Sequence, residues 1–227
     1  MRVEVVASYP HDPQAFTQGL LLRDGVLFES TGLVGRSSLR QVDITSGAVQ
    51  RRIDVPPPLF AEGLAAVGDR LIQLTWENHV ALVYNVANFQ KVDQFAYPTE
   101  GWGLCYNGNQ LVMSDGSDRL FYRDAHSFEP RNTLQVSENG RPIARLNELE
   151  CFEDVIYANL FMTDTIVRID PHTGHVTARI DAHGLLSDAE RRTADVLNGI
   201  AYDPQTQTFL LTGKLWPKLF RVRFVPE

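Results

Sequence analysis

Phe16-Thr17-Gln18-Gly19-Leu20-Leu21-Leu22-Arg23-Asp24-Gly25-Val26-Leu27-Phe28 joins a short polar frame to two apolar runs split by an Asp-Gly turn signal, and the frame recurs down the chain. It returns as Phe60-Ala61-Glu62-Gly63-Leu64, Glu100-Gly101-Trp102-Gly103-Leu104, Leu146-Asn147-Glu148-Leu149-Glu150 and Leu197-Asn198-Gly199-Ile200-Ala201. Successive starts lie roughly 40 to 50 residues apart, which is the spacing of a structural repeat. The residue ahead of each apolar pair changes every time, from Gln18 to Glu62, Trp102, Glu148 and Asn198. A constant scaffold with one chemically varied position points to a ring-shaped site.

Each frame is followed by further strand-like runs. Leu71-Ile72-Gln73-Leu74, Leu111-Val112-Met113 and Val155-Ile156-Tyr157 are bounded by Gly-Asp, Asn-Gly and similar turn signals. A more polar pair completes each unit, as in Leu39 to Ile44 with Ala48 to Val55, or Ile166 to Ile169 with His175 to Ile180. A long period with four strands per unit predicts an all-β, five-bladed β-propeller in one domain spanning 1–227, with blades at about 15–55, 59–97, 100–137, 146–181 and 198–225. The last unit is one strand short. Val3 to Tyr9 is a spare strand at the other end, so the segment 3–9 is expected to complete the fifth blade and close the ring. Leu185 to Leu197 breaks the pattern, and Ser187 three residues before Glu190 reads as a capping box opening a short surface helix with a solvated face.

The formal charge of −7 leaves no basic stripe for a phosphate backbone, so nucleic acid is excluded as a main partner. No apolar window is long enough for a membrane span and no signal-peptide core follows Met1, which predicts a soluble chain, secreted or periplasmic with its signal removed, or cytoplasmic. A monomer is expected. Cys105 and Cys151 fall at matching places in successive repeats. They read as buried free thiols, with a disulfide as the alternative, and without matching histidines they make a poor zinc site.

If innermost strands line a central channel, the frame residues Gln18, Glu62, Trp102, Glu148 and Asn198 converge on one mouth. Phe16, Phe60 and Asn147 stand beside them, and the ends of second strands add Thr75, Trp76, Asp115, Phe161 and Lys214. The result is an aromatic-walled pocket with few charges. Glu62 follows Phe60-Ala61 in an apolar setting that should raise its pKa, which suits acid/base work; the plainer alternative is a carboxylate bonded to strand amides. Lys214 is the positive charge available to developing negative charge on a substrate. No Gly-x-Ser-x-Gly elbow, phosphate loop or dinucleotide fingerprint is present.

The ordered series of these frames, with Leu74-Thr75-Trp76, Tyr157-Ala158-Asn159 and Thr212-Gly213-Lys214, closely resembles the plant- and bacterial-type glutaminyl-peptide cyclotransferases across nearly the whole chain. The resemblance implies conversion of an N-terminal glutamine of peptides or proteins to pyroglutamate with loss of ammonia, an acyl-transfer reaction without a metal or other cofactor. It implies catalytic roles for Glu62, Lys214 and Asn147, and substrate contacts from Phe16, Gln18, Phe60, Trp76, Trp102 and Phe161. At Phe161 many relatives carry tryptophan, so the wall there is smaller. Two rivals stand beside this reading. One is a metal-dependent hydrolase using Glu62, Asn147, Asn198 and Asp115 as oxygen ligands; the other is a non-catalytic interaction platform. A structural cation such as calcium is left open and is not predicted.

Overall fold

Hairpin-forming runs dominate the chain, and a computed structural model describing residues 1–227 resolves them into an all-β molecule with one short helix. Three separate four-stranded antiparallel sheets come first. They are β2 (Thr17–Arg23), β3 (Val26–Thr31), β4 (Ser38–Val42) and β5 (Val49–Asp54); β6 (Ala61–Val67), β7 (Arg70–Thr75), β8 (Val80–Asn85) and β9 (Lys91–Ala96); and β10 (Leu104–Tyr106), β11 (Gln110–Ser114), β12 (Arg119–Asp124) and β13 (Pro130–Gln135). A small hairpin, β14 (Ser137–Glu138) with β15 (Arg141–Pro142), leads into β16 (Leu146–Phe152), β17 (Val155–Leu160), β18 (Thr165–Ile169) and β19 (Val176–Asp181). The chain ends with β20 (Leu197–Asp203), β21 (Thr208–Gly213) and β22 (Lys218–Val225).

The N-terminal strand β1 (Arg2–Pro10) supplies what β20 to β22 lack. It pairs antiparallel with β22 from Arg2↔Val225 to Pro10↔Lys218, as the spare strand predicted. β1 also touches β19 in parallel at Arg2↔Asp181, so the last two units merge into an eight-stranded sheet. The strand pattern explains this layering. First strands of each unit are buried along most of their length, whereas the fourth strands β5, β9 and β13 are largely exposed. Apolar positions of neighbouring units then interlock, as where Leu74, Ala81 and Val83 of the second unit pack with Leu104, Leu111 and Met113 of the third.

The first strands meet one another closely. A Cβ on Gly63 would stand 2.6 Å from the Leu104 amide nitrogen, one on Gly103 would stand 2.1 Å from the Asn147 carbonyl oxygen, and one on Gly19 would lie 2.7 Å from the Leu64 nitrogen. The glycine of the repeated frame is therefore a steric requirement of backbone packed on backbone. Either side of the last unit the joint is made by side chains instead. Glu148 accepts from the amides of Leu20 at 3.1 Å and Ile200 at 2.8 Å, Asn159 accepts from the Gly199 amide at 3.0 Å, and Asn198 Nδ2 donates to the Thr17 carbonyl at 3.0 Å.

One expectation is corrected and another holds over a narrower span. Cys105 and Cys151 are joined in a disulfide between β10 and β16, because their matching places on adjacent first strands bring the Cα atoms to 5.5 Å. The helix expected over Leu185 to Leu197 is a single turn, α1 (Asp188–Arg191), with the Ser187–Glu190 capping box in place. Leu185 and Leu186 before it are drawn into the core, and two of its charges are paired, Arg191 with Asp164 and Glu190 with Lys218. No helix is long and apolar enough to cross a membrane.

A buried polar cluster was not visible in sequence. His11 bridges Glu29, at 3.0 Å from Nε2, and the Trp216 carbonyl, at 2.8 Å from Nδ1, while Thr17 donates to Glu29 at 2.7 Å and Arg40 stands 3.8 Å away. Burial pulls the imidazole pKa down, but Glu29, the Trp216 carbonyl and Asp12 together more than offset it and the net shift is upward. Glu29 behaves in mirror fashion: burial pushes it up, and His11, Arg40 and Thr17 bring it below the usual carboxylate value.

Candidate active site

An extra residue in four of the five first strands sets the geometry of the site. Ala61 pairs with Thr75 and Leu64 with Gln73, so two residues, Glu62 and Gly63, oppose one. The same bulge appears at Gln18, at Asn147-Glu148 and at Asn198-Gly199. A bulge re-aims side chains out of the alternation of a regular strand. Hence Gln18 and Glu62, at the variable position of the repeat, are both turned toward one cavity. The second strand then delivers a partner: Trp76 donates its backbone N–H to the Phe60 carbonyl at 2.9 Å, Phe161 to Arg145 at 2.9 Å and Lys214 to Val196 at 2.9 Å. Met162 and Leu215, directly after Phe161 and Lys214, take left-handed φ values of 66° and 59°, turning the chain sharply once those side chains have been presented.

Together these devices place Phe16, Gln18, Phe60, Glu62, Trp76, Trp102, Asn147, Phe161 and Lys214 around one cavity of about 430 Å³. These are the nine residues for which the resemblance implies catalytic or substrate-contact roles. Gln18, Glu62, Asn147 and Lys214 are buried, whereas the five aromatics are half-buried, so a polar floor lies beneath an aromatic collar. The collar is continuous on one side. Phe16 meets Phe60 edge-on at 6.2 Å, Phe60 meets Trp76 at 5.7 Å, and Trp102 meets Phe161 at 5.3 Å.

Not every convergent candidate arrives. Glu148 turns away to hold the amides of Leu20 and Ile200, and the neighbouring bulge residue Asn147 faces the cavity in its place. Asn198 stands behind the floor. Its Nδ2 donates to Gln18 Oε1 at 3.2 Å, which directs the Gln18 amide so that Nε2 donates to Glu62 Oε1 at 2.9 Å. Thr75 is bonded to the Val80 carbonyl, and Asp115 caps its own turn through Ser117, so neither lines the cavity. Sequence reasoning also missed Glu100. One of its oxygens, Oε2, accepts from the Trp76 indole at 2.6 Å and the Trp102 indole at 2.9 Å. Its place two residues before Trp102 was the available signal.

Electrostatics divide the floor in two. Burial pushes the Glu62 carboxyl well above the usual value, Lys214 opposes that shift and Glu100 adds to it. Burial lowers Lys214, against the pull of Glu62 and Asp195. The ammonium lies 4.9 Å from the Phe16 ring centroid and 5.1 Å from that of Phe161, held by two aromatic faces. Asn147 lines the cavity, and its Oδ1 is buried without a hydrogen-bond partner. The set offers one proton-exchanging carboxyl, one cation and one amide inside an aromatic enclosure. It suits a reaction in which a proton moves and charge develops on an oxygen.

The family model described as glutamine cyclotransferase matches residues 1–224. A glutaminyl-peptide cyclotransferase of Arabidopsis thaliana is 41% identical over 227 residues, covering 97% of this chain and 71% of the relative. The crystal structure of Myxococcus xanthus glutaminyl cyclase superposes with a TM-score of 0.88 at 39% identity, over 99% of this chain and 98% of that one. Hydrazine synthase of Kuenenia stuttgartiensis, at 17% identity and a TM-score of 0.55 over 90% of this chain and 56% of that chain, shares features of fold alone. Matched over nearly its whole length in both sequence and structure, this chain belongs to the glutamine cyclotransferase family.

Proposed function

We propose that this protein is a glutaminyl-peptide cyclotransferase, closing the N-terminal glutamine of peptides or proteins to pyroglutamate and releasing ammonia. The observation that carries the reading is the buried Glu62 carboxyl beneath an aromatic collar, beside Lys214 and Asn147. The five four-stranded units serve as the blades of a propeller in one domain, and β1 completes the last of them.

The substrate brings its own nucleophile. An α-amine titrates near 7.7 to 8.0 in the unperturbed state, so its neutral form is accessible and no activated serine or cysteine is needed. Its nitrogen attacks the γ-carboxamide carbon, and the C–N bond of the five-membered ring forms as the carbonyl π pair moves to oxygen. Lys214 and the Asn147 amide stabilise that oxyanion. Glu62 takes a proton from the attacking nitrogen and gives it to the departing nitrogen, which leaves as ammonia when the carbonyl re-forms. Gln18, itself directed by Asn198, keeps the Glu62 carboxyl aimed at both nitrogens in turn. The collar folds the flexible side chain for ring closure, and no metal or other cofactor enters the scheme.

Ammonia release from a short Gln-initiated peptide, followed with and without a chelator, tests the reading. Chelator-insensitive turnover supports it. Turnover abolished by the chelator and restored by a divalent cation would return the site to a metal-dependent hydrolase, and no turnover on any such peptide would leave a non-catalytic platform.

A further inference from the structure

Glu100 lies at the junction of the second and third units, and its position bears on the proposed reaction, on which this inference rests. Trp76 follows β7 and Trp102 precedes β10, so the two indoles reach the cavity from different sheets. No ring-to-ring contact joins them; each packs on a phenylalanine of its own side, Phe60 or Phe161. What they share is a single atom, Glu100 Oε2, which receives both indole N–H groups at 2.6 and 2.9 Å. Charge-assisted hydrogen bonds of this length are among the stronger directional contacts a protein makes. An indole has one donor only, so both rings have their single polar handle committed to the same oxygen.

We infer that Glu100 is a positioning residue, which holds Trp76 and Trp102 as one fixed pair across the joint between two sheets and so sets the width of the aromatic collar. A tryptophan ring anchored at its edge still pivots about that edge, and packing alone does not choose the angle. With the nitrogens of both rings pinned to a common point, the angle between them is restricted and the slot between them keeps one shape. Gly116 serves the same end, because its bare α-carbon lets the Trp102 ring lie where a Cβ would be 2.7 Å from it. Glu100 has a second consequence. Its charge reaches Glu62, whose other charged or titratable neighbours are Lys214 and Tyr97, and it works against Lys214 by favouring the protonated carboxyl. One side chain thus shapes the collar and tunes the group below it.

Two substitutions separate the effects. Glu100→Gln retains an oxygen able to accept from both indoles but removes the charge. It should leave KM within about twofold of the parent and move the acid limb of the kcat/KM profile to lower pH, because Glu62 then deprotonates more readily. Glu100→Ala removes the acceptor as well, and it should raise KM about tenfold or more, the scale of losing a charge-assisted hydrogen bond. The indole N–H resonances of ¹⁵N-labelled protein supply a readout independent of turnover. Those of Trp76 and Trp102 should move upfield in Glu100→Ala and stay near the parent positions in Glu100→Gln, while Trp216, which donates to the Asp195 carbonyl at 2.9 Å, serves as an internal reference. Unmoved resonances or an unchanged KM in a folded Glu100→Ala protein would overturn the inference. If the parent turns over no glutaminyl peptide, the proposed function fails, yet the resonances still decide whether Glu100 holds the two rings.

Discussion

Replacing Glu62 by glutamine isolates proton transfer from everything else the residue does. Glu62 is 5% exposed and receives one hydrogen bond, from Gln18 Nε2 at 2.9 Å. The amide is isosteric and its oxygen can still take that bond, so shape and contact survive. The proton-exchanging function does not. General acid–base catalysis contributes about 10²- to 10⁴-fold, or roughly 3 to 5 kcal/mol at the barrier, and kcat should fall by that factor. KM should change little, since the five rings of the collar are untouched. Stability moves in the other direction. Burial already disfavours the charged form of Glu62, so a neutral amide removes a cost and the melting temperature should hold or rise. The assay is steady-state ammonia release from a Gln-initiated peptide, with thermal melting on the same samples. A loss of tenfold or less in a folded Glu62→Gln protein would refute the proton shuttle and return Glu62 to a structural carboxylate.

Three further outcomes test the structure more widely. Gly103→Ala should destabilise the protein by about 2–4 kcal/mol and depress activity, because the new methyl would have to displace the Asn147 backbone; chemical denaturation with the ammonia assay reads both. Reduction of Cys105–Cys151, or the double serine variant, opens a link across 46 residues and should cost about 2–4 kcal/mol, visible as a lower urea midpoint with activity retained at low temperature. The His11–Glu29 pair should support stability between about pH 4.5 and 6.5, the ordinary values of the two groups. Its contribution is lost as pH falls through the lowered Glu29 value and again as pH rises through the raised His11 value. Urea midpoints of parent and Glu29→Gln should therefore differ most inside that window and converge outside it.

How much could be read in advance followed the range of the interactions involved. The repeat was visible because a four-stranded unit is built from local hairpins, and each hairpin leaves alternation and turn residues in a short stretch of chain. The cavity residues were visible for a related reason: a polar residue such as Glu62 inside a buried strand, or Trp76 at a strand end, departs from the local pattern. Glu100 stood out only by its place two residues before Trp102, and the meeting of two sheets is what reveals its two indoles. His11 and Glu29 acquire their meaning from Arg40 and the Trp216 carbonyl, the latter 205 residues along the chain from His11. Glu148 shared the frame of Glu62, yet which of two bulge residues faces the cavity depends on the unit across the gap. The cysteines turned on the same distance between neighbouring strands.

The joints between units also differ in kind, and that difference falls unevenly on the cavity. Phe16, Phe60, Trp76 and Trp102 come from the first three units, whose inner edges touch main chain to main chain with no slack. Lys214 rides on the last unit, whose inner edge is held by Glu148, Asn159 and Asn198 side chains while its outer edge is tied at Arg2 and Asp181. Lys214 is thus placed by side-chain hydrogen bonds where the aromatics of the first three units are placed by backbone contact, so a change at Glu148 or Asn159, neither of which lines the cavity, should reach the site through Lys214.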